Sequence, residues 1–180
     1  MTSLIVCAEE LNLMNKEKTI FLDTSAFIPL LTENHCYHHK VRRYLGEEKF
    51  SCCIDSIVLS EYLTGVTSPE NQQRDLNVIA KQFRVLSLSF MGAQIGACIF
   101  RHLKNKNAVP RGETEKQITR VDILILASAI ENRMDYILYG DKHFTSMVNH
   151  INDIDIPNFS VPVPVHIQDI PGDFFDSLPN

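Results

Sequence analysis

The sequence predicts an α/β fold, a three-layer α/β/α sandwich around a central, mostly parallel sheet. Short apolar runs alternate with longer segments of helical periodicity along most of the chain. Two of these runs, residues 20–22 and 137–139, are followed by Asp23 and by Gly140-Asp141. The length of 180 residues suits one core, so we expect a single domain over 19–168, an extension over 1–18 and a tail over 169–180.

Composition excludes several classes of protein. With 44% hydrophobic and 22% charged residues, the chain is not largely disordered, and a net charge of −5 argues against nucleic-acid binding through bulk positive charge. The longest uncharged run, residues 85–100, is short for a membrane span, and the first ten residues lack a basic leader. Five irregularly spaced cysteines favour reduced thiols, so we expect a soluble, cytoplasmic protein.

The first half of the chain predicts two buried strands and four helices. The strands are short apolar runs, and the helices follow from apolar residues three and four positions apart. Asp55 or Ser56 can cap the third helix, and Gly65 and Pro69 help to end it. The strands are predicted over 19–23 and 50–54, and the helices over 26–31, 38–48, 56–66 and 69–83.

The second half of the chain predicts a further pair of strands, two helices and one edge strand. The helix over 119–131 is apolar nearly all round, which indicates a buried helix. The polar segment 105–117 contains Pro110 and Gly112 and is predicted to be a loop. The other elements are predicted as strands over 85–88 and 136–139, a helix over 90–104, and an edge strand over 163–167 in a proline-rich stretch.

Two acidic residues follow predicted strands. Parallel sheets place functional groups just beyond the carboxyl ends of their strands, where Asp23 and Asp141 stand. Each aspartate also has an ordinary structural role, because Asp often caps the helix that follows a strand. Taken singly, neither residue decides between the two roles.

Two further acids lie on predicted helices. Glu61 shares a stripe with apolar residues, so it either bends outward to solvent or lies beside a cation. Asp122 could complete a capping box with Thr119, but the apolar helix that follows would make a buried carboxylate costly without a cation or several donors. We therefore favour a functional role for Asp122.

Four acids from four separate elements could converge on one point. Such a cluster would repel itself strongly unless a hard divalent cation neutralised it. Oxygen ligands without paired His or Cys favour magnesium or manganese over zinc. The chemistry suited to this arrangement is phosphodiester hydrolysis, in which a metal activates water and stabilises charge on the reacting oxygens.

Four short motifs resemble those of the PIN-domain nucleases, over about residues 19–166. They are Phe-Leu-Asp-Thr-Ser at 21–25, Ser-Glu at 60–61, the segment 119–129 around Asp122, and Tyr-Gly-Asp-Lys-His-Phe at 139–144. The resemblance implies a metal-dependent endoribonuclease that cuts RNA with one or two Mg²⁺ or Mn²⁺ ions. It also implies that Ser25 supplies a nearby hydroxyl and that the metal ligands, direct or through water, are Asp23, Glu61, Asp122 and Asp141.

Many small members of this family are VapC-like toxins of toxin–antitoxin pairs. The resemblance therefore also implies a possible antitoxin protein as partner and a homodimer. The chain departs from the family pattern at Tyr139, where Thr or Ser is usual, and in the extra residues 1–18 and the tail with Phe174 and Phe175. A non-catalytic domain that binds RNA or a protein partner remains an open alternative.

A basic strip precedes Asp122 in an otherwise acidic chain. It could guide an RNA backbone to the acids, although a solvated loop is an equally good interpretation. The strip consists of Arg101, Lys104, Lys106, Arg111, Lys116 and Arg120.

Two rival chemistries are weaker. A zinc site at His35 and His39 lacks a second ligand pair, so a solvated helix start is favoured. A phosphatase of the haloacid-dehalogenase type, with Asp23 as nucleophile, would need an aspartate at the position of Ser25.

Overall fold

The computed structural model describes residues 17–109 and 112–171, without the side chains of residues 113–118. These residues form five strands and seven α-helices. The strands are β1 (Thr19–Leu22), β2 (Ser51–Asp55), β3 (Arg84–Leu86), β4 (Tyr136–Tyr139) and β5 (Val163–His166). The helices are α1 (Thr24–Leu31), α2 (His38–Glu47), α3 (Ser56–Gly65), α4 (Pro69–Gln82), α5 (Phe90–Asn105), α6 (Glu113–Glu131) and α7 (Lys142–Ile151).

The five strands form one parallel sheet in the order β3-β2-β1-β4-β5. From β1 the chain adds β2 and then β3 on one side of the sheet. It then crosses back and places β4 on the other side of β1. The strand order therefore reverses between β1 and β4, which pair from Ile20 with Tyr136 to Leu22 with Leu138. In open α/β sheets such a reversal leaves a crevice at the carboxyl ends of the two strands.

Helices cover both faces of the sheet, which confirms the predicted α/β/α class. Right-handed crossovers put α1 to α4 on one face and α5 to α7 on the other. The packing agrees, since α1 contacts α2 and α3, whereas α5 contacts α6 and α7. The central strand is buried on both sides, with Ile20, Phe21 and Leu22 all inaccessible to solvent.

Three strand-to-helix turns at the carboxyl edge are capped by aspartates. Asp23, Asp55 and Asp141 are the N-caps of α1, α3 and α7, and their carboxyl oxygens accept backbone N–H groups of the first turn. The predicted cap at Asp55 is thereby confirmed, and the capping role considered for Asp23 and Asp141 is present in both. Three carboxylates therefore lie at the same edge of the sheet.

Two features differ from the sequence prediction. Helix α6 begins at Glu113 with Gly112 as its N-cap, so residues 113–117 are helical and not part of a loop. Its first turns are polar, and apolar periodicity detects only the buried portion of a helix. Helix α7 was not predicted, although Phe144, Met147, Val148 and Ile151 form its buried stripe at helical spacing.

Several sequence-based expectations lie outside the described residues. These are the extension over residues 1–16, the phenylalanines at 174 and 175, and Arg111. Within the described residues, no helix combines the length and hydropathy needed to cross a membrane. The four cysteines described there are free thiols, at positions 36, 52, 53 and 98.

Candidate active site at the carboxyl edge of the sheet

Asp23 lies at the end of β1 with only 2% of its surface exposed. Its Oδ2 accepts hydrogen bonds from the Ser25 hydroxyl at 2.5 Å and from the Ser25 N–H at 3.0 Å. The same hydroxyl accepts the Gly140 N–H at 2.7 Å. Ser25 therefore ties the carboxyl end of β1 to that of β4, on the two sides of the crevice.

Gly140 leaves room for the side chain of Ile167, which follows β5. A Cβ atom at this position would lie 2.4 Å from Ile167 Cδ1 and 3.5 Å from the Ser25 carbonyl oxygen. Ile167 is itself buried, so it has little room to withdraw. The glycine before Asp141 is thus required by packing.

Asp141 and Glu61 are the more accessible acids. Asp141 is half-buried and accepts the Phe144 N–H at 2.8 Å through Oδ1. Glu61 is exposed on α3 and accepts a hydrogen bond from the Thr24 hydroxyl through Oε2. Because Thr24 directly follows Asp23, this bond holds Glu61 beside the end of β1.

Asp122 is buried in the interior of α6, with 8% of its surface exposed. Its Oδ2 has no hydrogen-bond partner among the described residues. The capping box considered from the sequence is wrong, because α6 begins at Glu113 and Thr119 lies within the helix. Asp122 therefore has no capping role to explain a buried carboxylate.

The electrostatics show that the four acids share one region. Burial raises the pKa of Asp122 to about 8, and repulsion from Asp23, Asp141 and Glu61 adds to the shift. Burial also raises the pKa of Asp23 to about 6, against the Ser25 hydrogen bonds that lower it. Among the described side chains, no Lys or Arg forms an ion pair with any of the four.

The donor set has the chemistry of a hard-cation site. All four side chains offer carboxylate oxygens, and the unpaired Asp122 Oδ2 is an atom that a cation would satisfy. Nevertheless, no three His, Cys, Asp or Glu side chains in the described part of the chain are gathered tightly enough to hold one ion. The acids thus fit a divalent metal by charge and ligand type, and their roles as ligands stay predictions.

Tyr139 and the histidines near 35–39 have structural partners. The Tyr139 ring packs against Phe144 and His166, with ring centroids 5.1 Å and 5.2 Å away. Nδ1 of His35 accepts the Tyr37 N–H at 3.2 Å, and Nδ1 of buried His38 lies 3.1 Å from the Pro29 carbonyl oxygen. Helix α2 begins at His38, as the sequence predicted.

The basic strip is divided between two helices and their connection. Arg101 and Lys104 are exposed on α5, Lys106 pairs with Asp153, and Arg120 lies over the Phe100 ring at 5.9 Å on α6. Arg111 and the side chain of Lys116 lie outside the described parts. Arg120 and Asp122 are two positions apart on α6, which is roughly 200° around the helix. Arg120 therefore lies on a different face of α6 from Asp122.

Two of these arginines line an apolar groove. The cavity is about 400 Å³ in volume and lies between α5 and α6, with Arg101 and Arg120 on its rim. Its remaining lining residues are Gly96, Ala97, Phe100, Ile123 and Leu124.

Sequence reasoning missed two residues that organise the site. Thr24 holds Glu61, and the Gly140 N–H donates to the Ser25 hydroxyl. Both stand next to an acid already singled out, so adjacency to Asp23 and Asp141 was the available signal.

A comparison with protein families identifies the family of this chain. The model of the PIN domain matches residues 20–149, which is most of the chain. The chain belongs to the PIN domain family. A comparison with proteins of curated function finds no match.

The PIN domain also resembles several solved structures in its fold. FitAcB from Neisseria gonorrhoeae is 16% identical, with 84% of this chain and 99% of that chain covered and a TM-score of 0.58. VapBC2 from Rickettsia felis, bound to a DNA fragment from its promoter, is 18% identical, with 82% and 98% covered and a TM-score of 0.57. VapC20 from Mycobacterium tuberculosis, a toxin that cleaves the sarcin–ricin loop, is 17% identical, with 71% and 94% covered and a TM-score of 0.51. At these identities the likeness shows the fold alone.

Proposed function

We propose that this PIN domain is a metal-dependent endoribonuclease that hydrolyses RNA phosphodiester bonds. The observation that carries the proposal is Asp122, a buried carboxylate with one unpaired oxygen that is repelled by three other acids. A fold tolerates such a group when a cation binds beside it, since a lone buried charge is strongly disfavoured. Family membership supports the same assignment.

The four acids would hold one or two Mg²⁺ or Mn²⁺ ions. Such a cation, when bound, lowers the pKa of a water molecule and stabilises negative charge on the reacting phosphate oxygens. Asp23 is oriented by Ser25 and Glu61 by Thr24, so both carboxylates have a fixed direction before the cation binds. Burial of Asp23 and Asp122 limits water access and strengthens their electrostatic effect.

The partners are proposed by analogy with the structures of similar fold. One structure of similar fold is a toxin–antitoxin complex from Klebsiella pneumoniae, and VapC20 is described as cleaving the sarcin–ricin loop. We therefore propose RNA as substrate, a small antitoxin protein as inhibitor, and a homodimer acting in the cytoplasm. Arg101 and Arg120 would contribute to RNA binding through phosphate contacts.

A non-catalytic module is the second candidate. It is favoured by one observation, that no three candidate ligands in the described structure are gathered around a single point. Such a domain would bind RNA or a protein partner through the same surface without cutting RNA. Direct cleavage assays separate the two candidates.

The experiment is cleavage of a structured RNA by the purified full-length chain in Mn²⁺, in Mg²⁺ and in EDTA. We expect cleavage with either metal and none with EDTA. The variant Glu61→Gln, which removes an exposed charge and keeps the shape of the side chain, is expected to lose cleavage while remaining folded by circular dichroism. RNA binding without cleavage in both metals would favour the non-catalytic module.

A further inference from the structure

A polar cavity of about 590 Å³ lies at the end of α1, with further lining residues from α2 and α4. Helix α1 begins beside Asp23 and ends at Leu31, so the cavity and the acids lie at opposite ends of a helix roughly 12 Å long. None of the four acids is among the residues that line the cavity. Its volume is in the range of sites that bind small organic ligands. The cavity is therefore a candidate binding site separate from the crevice.

Two arginines from separate helices line this cavity. Arg42 lies on α2 and forms no hydrogen bond or ion pair with any other described residue. Arg74 lies on α4, and its Nε donates to Asp75 Oδ1 at 3.1 Å, which leaves its two terminal nitrogens without a partner among the described residues. The Tyr62 hydroxyl donates to the other oxygen of Asp75 at 2.8 Å, so Asp75 is held in place and orients Arg74. Guanidinium groups with unused donors suit a phosphate, which each can bind through two parallel hydrogen bonds.

His38 contributes a ring nitrogen that the fold leaves unused. The residue lines the cavity with only 4% of its surface exposed. Its Nδ1 lies 3.1 Å from the Pro29 carbonyl oxygen, and because a carbonyl oxygen only accepts, Nδ1 is the donor and caps the last turn of α1. The other ring nitrogen, Nε2, has no hydrogen-bond partner among the described residues and is an acceptor in the neutral ring. A ligand in the cavity would satisfy Nε2 with a hydroxyl or amine donor.

The remaining lining residues provide apolar contacts and one further charge. Leu30 and Leu31 of α1 and Val78 of α4 offer apolar surface to a ligand. Glu33 also lines the cavity, but its side chain is exposed, so solvent and salt screen its repulsion of an anion. The cavity therefore combines donors for an anion, an acceptor and an apolar wall.

We propose that this cavity binds a nucleoside monophosphate, with the phosphate between Arg42 and Arg74. Such a ligand carries a phosphate for the two guanidinium groups, sugar hydroxyls that can donate to His38 Nε2, and a base with apolar faces. Inorganic phosphate would leave Nε2 and the apolar wall unused. This ligand site is independent of RNA cleavage by the four acids.

The test measures the binding of AMP, GMP, CMP and UMP to the full-length chain by calorimetry. EDTA is present, so that no metal at the four acids contributes to binding. Adenosine, which lacks the phosphate, and inorganic phosphate, which lacks the sugar and base, are the comparison ligands. We expect at least one nucleotide to bind once per chain and at least about tenfold more tightly than either comparison ligand. No binding of any of the four nucleotides at about 1 mM would overturn the inference.

Single-charge variants locate the phosphate. Arg42→Gln and Arg74→Gln should each weaken nucleotide binding at least about tenfold, because each removes a charge-assisted hydrogen bond. Lys81→Gln is the matched control, since Lys81 is an exposed cation of α4 that does not line the cavity. Unchanged binding in both arginine variants would place the nucleotide elsewhere and reject the site. Equal weakening in Lys81→Gln would indicate attraction by overall charge and would also reject it.

The variant His38→Asn tests the free ring nitrogen. An asparagine amide can still donate to the Pro29 carbonyl oxygen in place of Nδ1, but it offers no acceptor at the position of Nε2. We expect nucleotide binding to weaken about fivefold while the binding of inorganic phosphate stays unchanged. Inorganic phosphate that binds the wild type as tightly as the nucleotides would reject a nucleotide ligand. If His38→Asn does not fold, the two arginine variants decide the outcome, because both of those side chains are exposed.

Discussion

Asp135 at the amino edge of the sheet and Asp122 near the carboxyl edge differ in their hydrogen-bond partners. At the amino edge, Asp135 precedes β4, and its Oδ2 accepts the Thr19 N–H at 2.9 Å and the Thr19 hydroxyl at 2.8 Å. In return, the Thr19 hydroxyl accepts the Asp135 N–H at 3.1 Å. This acid joins the starts of β1 and β4 and is satisfied by donors from its neighbour.

At the carboxyl edge, Asp122 is repelled by other carboxylates. Asp122 has an unpaired buried oxygen, and its pKa is raised to about 8 by burial and by three neighbouring carboxylates. Asp135 Oδ2 accepts two hydrogen bonds, whereas Asp122 Oδ2 accepts none among the described residues, and this difference marks Asp122 as the acid that a cation would complete. Both edges hold the same two strands together, so differences between their acids do not reflect a difference in fold.

The largest expected effect is the loss of RNA cleavage in Asp122→Asn. The substitution keeps the shape and removes the charge, so cleavage in Mn²⁺ should fall by at least about a hundredfold, or about 2.7 kcal/mol of transition-state stabilisation. Asp135→Asn is the matched substitution at the other edge. It should retain cleavage and lose about 1 kcal/mol of stability through weaker hydrogen bonds. Equal losses of activity in the two variants would remove the distinction between the edges.

The pH dependence of stability gives the next effect. In the metal-free protein the pKa values of Asp23 and Asp122 are raised to about 6 and about 8, above their ordinary value of 3.8. Their protonated forms favour the fold, so this contribution is complete below pH 3.8 and is lost as pH rises through 6 and then 8. Because this stabilising contribution is lost, we expect the unfolding temperature measured in EDTA to fall between pH 5 and pH 8.

The variant Asp122→Asn measures how much of this pH-dependent loss of stability is due to Asp122. An unpaired buried polar group costs about 2 kcal/mol, and in a chain of this size each kcal/mol shifts the unfolding temperature by about 2–4 °C. The variant should match the wild type below pH 3.8 and exceed it by about 5 °C above pH 8. Added Mn²⁺ should raise the unfolding temperature of the wild type and not of the variant. A constant difference across pH would contradict the raised pKa of Asp122.

The sequence was most informative where burial produced a periodic pattern. The strands, the first five helices and the caps at Asp23 and Asp55 follow from local residue chemistry. The start of α6 was missed because residues 113–117 are polar, and a polar helical turn has the composition of a loop. Pattern alone therefore predicted the core and was weakest at exposed helix ends.

The candidate acids could be identified from the sequence, but their environment could not. The position of Asp122 after a polar segment suggested a capping box, and only the early start of α6 removed that alternative. The unpaired oxygens of Asp122 and Asp55 depend on contacts between helices far apart in the chain. Spacing cannot reveal such contacts, because they are set by packing across layers.

The variant Ser25→Ala tests whether RNA cleavage needs the link between the ends of β1 and β4. Ser25→Ala removes the hydroxyl that links Asp23 to the Gly140 N–H, so both strand ends lose a fixed partner. We expect cleavage to fall about tenfold, or about 1.4 kcal/mol, measured at saturating Mn²⁺. Ser60→Ala, an exposed serine beside Glu61, is the control and should cut RNA like the wild type. Wild-type cleavage by Ser25→Ala would show that Asp23 is oriented without this bridge.

The smallest expected effect concerns RNA binding through Arg101 and Arg120. Both arginines line the groove between α5 and α6. If each contacts one phosphate, Arg101→Gln and Arg120→Gln should each reduce the slope of log binding constant against log salt by about 0.7. Binding is measured in EDTA, so that no RNA is cut. Lys18→Gln is the control, since Lys18 pairs with Glu48 near the amino edge. An unchanged slope in both arginine variants would place the RNA path elsewhere, and an equal change in Lys18→Gln would indicate binding by overall charge.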